Sequence, residues 1–133
     1  MNSTKITLAA LAVAFSFALA VSAEDAKLPP ASDKKGVTFE TDIKPIFDAS
    51  CVKCHNSTKK PRAGVGLDTL EATLKGGKEG KVVTPGDSAN SDLVKTVAHV
   101  GDPDTFMPKG KDAKQLTPEQ VGLIRAWIDQ GAK

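Results

Sequence analysis

A chain of 133 residues is expected to form one small domain. Its 18 Lys and Arg stand against 16 Asp and Glu, a net charge of +2 that marks no nucleic-acid partner. Five Phe, one Trp and no Tyr leave few large rings to build a core.

Residues 1–23 read as a secretory signal. Lys5 precedes an apolar run over residues 6–21, broken only by Thr7 and Ser16, and Val21-Ser22-Ala23 offers a small-residue cleavage site before Glu24 and Asp25. The 16 apolar-run residues fall short of the roughly 20 that a spanning helix needs, so cleavage after Ala23 is preferred over a retained membrane anchor. The expectation is a periplasmic or exported protein with no stable membrane insertion after cleavage. Taking 23 residues from 133 leaves 110, and Lys5 is the only charge removed, so the balance becomes +1. A core of that size is marginal without extra buried apolar volume.

Residues 24–37 carry Pro29-Pro30 and the polar run from Ser32 to Gly36 without apolar periodicity, and read as a flexible leader. The domain is expected over residues 38–133. Thr41 can cap a first helix, with Pro45 still in its opening turn, where a missing N–H costs no intrahelical bond. Ile43, Ile46, Phe47, Ser50, Cys51 and Cys54 then recur at three- and four-residue steps on one face. Ile46 and Phe47 are expected in the core, of which any bound cofactor would form one part.

That helical pattern runs into Cys51-Val52-Lys53-Cys54-His55. Two thiols at this spacing can each add across a vinyl group of haem, and the adjoining imidazole can reach the iron: this is the C-x-x-C-H attachment pattern. A structural zinc would need four Cys or His ligands, usually in two pairs. The chain has only Cys51, Cys54, His55 and His99, and Cys54 and His55 are neighbours that close one tetrahedron poorly. A thioredoxin-like dithiol would sit between a strand and a helix, not after a helix. Inert thiols are the remaining alternative, one that suits an exported protein badly. A covalent haem would also supply the ring volume that the aromatic side chains do not.

Downstream, residues 56–66 form a loop rich in Lys, Pro and Gly. Asp68 and Glu71 resemble a capping pair for a short helix over residues 69–75, with Leu67, Leu70 and Leu74 inward and Gly76-Gly77 as its stop. Thr84-Pro85-Gly86-Asp87 is a tight turn, expected to press its backbone against a flat surface. A helix from about Asn90 carries Leu93, Val94 and Val97 inward and ends near His99. Residues 100–116 lack a helical period, and a loop of that length in a small domain is usually functional. It contains Met107, which apart from Met1 is the only methionine. A lone thioether in a polar loop is a poor gap filler and a good second axial ligand to haem iron. His99 and an open axial position are the alternatives.

The last helix is announced by Leu116-Thr117-Pro118-Glu119-Gln120-Val121: a Thr cap, Pro at the first position, Gln at the third for a capping box, and a Leu116 to Val121 staple. Val121, Ile124 and Ile128 share a face flanked by Leu123 and Trp127, and Gly131 stops the helix. It is expected to cross the helix before Cys51 and close the cofactor pocket, with Trp127 as packing and not as an electron relay.

The sequence Asp42-Ile43-Lys44-Pro45-Ile46-Phe47 leading into the Cys51 to His55 motif is followed by Gly66-Leu67-Asp68, Pro85-Gly86-Asp87, Met107-Pro108 and residues 123–131. Together, over about residues 38–132, these resemble a small class I c-type cytochrome, more narrowly the planctomycete-type cytochrome c domain. The resemblance implies an all-α cytochrome c fold wrapped around one covalent haem c, with Cys51 and Cys54 as thioethers, His55 as proximal ligand, Met107 as distal ligand, and electron transfer as the activity. Many relatives carry Met-Pro-Pro where this chain has Met107-Pro108-Lys109, a more basic loop edge. Lys53, Lys59, Lys60, Lys109, Lys111 and Lys114 lie in or near the two segments expected to flank the haem, so a redox partner with an acidic docking surface is one expectation, with donor and acceptor unspecified. Beyond His99 the chain has no acid–base or nucleophilic set, and a non-enzymatic electron carrier is expected. The alternatives are a haem-based sensor and a redox subunit of a larger dehydrogenase.

Overall fold

In the computed structural model, which describes residues 27–133, the chain forms short helices joined by long loops. These are α1 (Lys44–Ser50), α2 (Leu70–Lys75), α3 (Asp92–Ala98) and α4 (Pro118–Asp129). Single 3-10 turns occupy Arg62–Gly64 and Pro103–Thr105, and Gly77 and Gly80 make an isolated bridge. No strand occurs among the described residues, and the domain is all-α. The expected signal segment and its cleavage point after Ala23 lie outside the described residues. Among those described, no helix is long and apolar enough to cross a membrane.

The chain enters α1 through a π-helical turn, Phe39–Ile43, capped by Thr38 and not by Thr41. Lys44 N–H reaches back five residues to the Phe39 carbonyl, and Pro45 follows at once. Without that wider turn Pro45 would sit inside a regular helix, where its ring clashes with the carbonyl four residues before it. The π turn also delivers Phe39 and Ile43 to the core. Phe39 packs edge-on against Phe47, with ring centres 6.0 Å apart, and at 5.8 Å from Trp127. All three rings are buried, and such aromatics are worth about 3–5 kcal/mol each against truncation to Ala.

Helix α4 begins as its sequence dictates. Thr117 Oγ accepts from Gln120 N–H, Gln120 Oε1 accepts from Thr117 N–H at 2.9 Å, and Leu116 and Val121 are both buried. Its inward face, Val121, Ile124, Trp127 and Ile128, packs on α3 and the π turn. Trp127 Nε1–H donates to the Lys133 carbonyl at 3.0 Å, which also accepts from Phe39 N–H at 2.8 Å. The expected packing role of Trp127 is what the structure gives it.

Residues 27–37 are not a loose leader. Leu28 and Val37 are buried, and the backbone between them is held along α4: Arg125 Nη1 donates to the Pro29 carbonyl at 2.6 Å, Ser32 N–H to the Gly122 carbonyl at 2.9 Å, and Gln130 Nε2 to the Lys34 carbonyl at 2.8 Å. Gly122 allows the approach, because a Cβ there would stand 2.6 Å from the Pro30 carbonyl oxygen. The docking uses backbone carbonyls and two widely spaced apolar anchors, which produce no sequence period.

The remaining elements differ in detail. Thr69, not Asp68, caps α2 by accepting from Ala72 N–H at 3.1 Å, and its most buried residue is Thr73, whose hydroxyl returns to the Thr69 carbonyl. Asp68 instead accepts from Ser57 N–H at 2.7 Å and Ser57 Oγ–H at 2.8 Å, tying the 56–66 loop down. Partial burial works to raise the Asp68 pKa, but the Ser57 bonds outweigh it and hold the carboxyl below the usual range. The turn at residues 84–87 lies against the end of α4, where Gly86 N–H donates to the Ile128 carbonyl at 2.7 Å.

Candidate haem site

Helix α1 stops at Ser50, one residue before the motif, so the cysteines are not carried on its face as expected. Residues 51–54 form a hydrogen-bonded turn: Cys51 N–H donates to the Phe47 carbonyl at 2.7 Å, and both Cys54 N–H and His55 N–H donate to the Cys51 carbonyl, at 3.1 and 3.0 Å. The turn places Cys51 and Cys54 on the wall of one cavity of about 830 Å³, together with His55 and Met107. That volume falls within the roughly 300–1,000 Å³ of ordinary cofactor and ligand sites. Its apolar wall includes Ala49, Val65, Leu67, Val82, Leu93 and Val97.

His55 is held in one tautomer. Its Nδ1 lies 3.0 Å from the Val65 carbonyl, and since a carbonyl only accepts, Nδ1 carries the proton. With Nδ1 as the donor, Nε2 is the nitrogen whose lone pair can serve a metal. The segment that supplies this carbonyl is drawn close by Leu67 N–H donating to the His55 carbonyl at 2.8 Å. Gly66 sits between them, where a Cβ would meet Ser57 Cβ at 2.9 Å and Ala72 Cβ at 3.0 Å.

Burial pushes the Cys51 thiol up to about 11. A thioredoxin-like pair follows a strand and opens a helix, whereas here α1 precedes the motif, so the geometry disfavours the dithiol alternative. Among the described residues no three His, Cys, Asp or Glu side chains are grouped to hold a metal ion by themselves, which disfavours the zinc alternative. Two thiols, an imidazole with its Nε2 lone pair and a thioether around an apolar cavity fit a covalently attached haem.

Met107 lines the cavity, and His99 does not. His99 Nε2 lies 3.0 Å from the Met107 carbonyl, and its ring stacks on Phe106 at 4.6 Å and 9°. One ring nitrogen is thus committed to the loop backbone, and it is the position of the ring outside the cavity lining that removes the support for His99 as axial ligand. Met107 N–H also donates to the Thr96 carbonyl at 3.2 Å. The loop is therefore tied to α3 through its backbone. Helix α4, expected to close the pocket, contributes no residue to its lining; α3, Thr105 and residues 107–114 do this. Phe47 and Ile46 are core residues outside the lining as well.

Residues 51–110 match the sequence profile of the planctomycete cytochrome c family. Over those residues the chain resembles a planctomycete-type cytochrome c domain. That resemblance points to covalent haem c and haem-based electron transfer. The chain is also 30% identical over 126 aligned positions to hydrazine synthase subunit alpha of Kuenenia stuttgartiensis, an alignment covering 75% of this chain and 16% of that protein. The chain thus matches about a sixth of that relative's length. No solved structure matches it significantly.

Sequence reasoning overlooked the carbonyls of Val65 and Thr96, which carry no side-chain signature. It also left Arg62 out of the basic set, although Arg62 lines the cavity with Lys53, Lys109, Lys111 and Lys114. Lys59 and Lys60 are exposed on the adjoining loop.

Proposed function

We propose that this protein is an exported, periplasmic monohaem electron carrier and not itself an enzyme. Cys51 and Cys54 would hold haem c as thioethers, with His55 Nε2 and Met107 Sδ as the axial ligands. The observation that carries the reading is the convergence of these four side chains on one apolar cavity, with the His55 proton directed to Val65 and away from it. When bound, haem c supplies a one-electron ferric/ferrous couple. The chain's own residues orient the ligands, exclude water through the Val65, Leu67, Leu93 and Val97 wall, and keep the His55 tautomer fixed. A chain mass one haem above the bare polypeptide, with oxidised and reduced spectra of a low-spin six-coordinate haem, is the expected result. Haem stripped intact by acid and organic solvent would overturn it.

Lys53, Arg62, Lys109, Lys111 and Lys114 around the cavity suit a partner with an acidic docking face. Association with the physiological partner is expected to slow about tenfold or more between low and high salt, because steering by such a patch is screened. Stopped-flow electron transfer measures this, and a rate indifferent to ionic strength would indicate apolar docking. A second reading, as a redox subunit of a larger enzyme, draws on the similarity to a protein named as a subunit of hydrazine synthase. Light scattering on the native extract separates the two by the mass of the haem-bearing species.

A further inference from the structure

We propose that His99 is a positioning residue that holds Met107 over the cavity, an inference that rests on the reading of Met107 as axial ligand. Helix α3 ends at His99 in the left-handed conformation, φ 56°, with Val100 N–H donating to the Lys95 carbonyl at 2.9 Å. His99 N–H is spent on the same Lys95 carbonyl, so this left-handed stop turns the chain back on itself and leaves the Thr96 carbonyl to be met from outside the helix. Met107 N–H fills it at 3.2 Å. The Met107 carbonyl is then taken by His99 Nε2–H at 3.0 Å, while the stacked Phe106 fixes the plane of the imidazole. The backbone of Met107 is thus gripped on both sides by the last turn of α3, whose Thr96 and Val97 also line the cavity. The grip acts on the backbone and leaves the thioether available to the iron. A Phe or Ala at position 99 cannot donate; a Gln can.

The test uses the full holoprotein as wild type and as His99→Ala, His99→Phe and His99→Gln. Hydrogen exchange at the Met107 amide and cyanide association with the ferric protein are both measured. Losing one hydrogen bond of ordinary strength is expected to speed both about tenfold in His99→Ala and His99→Phe. His99→Gln is expected to recover most of the protection, and amides of residues 121–128 to exchange at the wild-type rate. Unchanged exchange at Met107, a rise spread equally through α4, or a Gln variant no better than Ala would overturn the positioning role. Met107→Ala serves as the control for the underlying reading: if it leaves the spectrum unchanged, the axial assignment fails, while exchange at position 107 still reports on the grip itself.

Discussion

Met107→Ala is expected to open the sixth position of the iron and lower its reduction potential. A thioether is a neutral, soft ligand that favours ferrous over ferric iron, so its loss removes a stabiliser of the reduced state. The fall is expected to be on the order of a tenth of a volt or more, within the roughly 0.8 V that axial ligation spans. The far-red thioether-to-ferric charge-transfer band should vanish, and carbon monoxide should bind the ferrous protein rapidly where the wild type binds it slowly. Met107→His should stay six-coordinate at a lower potential. The backbone grip on Met107 by Thr96 and His99 makes the comparison informative, because the loop keeps those bonds when only the side chain changes. A wild-type protein that already takes up carbon monoxide quickly would sink the assignment and favour the sensor. So would a Met107→Ala protein with unaltered spectrum and potential.

Cys51→Ala or Cys54→Ala is expected to remove most of the holoprotein, and the double substitution all covalently held haem. The two single changes should differ in kind. Cys54 is exposed, whereas Cys51 is partly buried at the end of α1 and packs against the core formed by Phe47 and its neighbours. Losing Cys51 should therefore also loosen the junction of α1 with the motif, visible as a lower melting temperature than for Cys54→Ala. The yield of haem-stained protein after denaturing electrophoresis measures the first effect and calorimetry the second. Full haem retention in the double variant under acid and organic solvent would refute thioether attachment.

The features that were legible in the chain are those whose cause lies within a few residues. The C-x-x-C-H spacing, the Thr117 to Gln120 capping box, the Leu116 to Val121 staple and the α3 face of Leu93, Val94 and Val97 all act within one or two turns of backbone. Even locally, propensity misplaced two starts. Asp68 has the chemistry of a cap but is claimed by Ser57 from the preceding loop, and the π turn before Pro45 has no compositional signal.

By itself, the sequence determined that thiols and imidazole stand at haem-attachment spacing, that the domain is helical, and that a single methionine lies in a long irregular loop. Which of these meet was decided only by the tertiary structure. The proton on His55 is placed by a carbonyl ten residues away, Met107 is gripped by the end of a helix eight to eleven residues before it, and residues 27–37 are held by Arg125 and Gln130 across 96 positions of sequence. The physical reason is common to all three. A backbone carbonyl accepts from whatever donor the fold brings to it, and every residue has one, so residue type carries no record of the pairing.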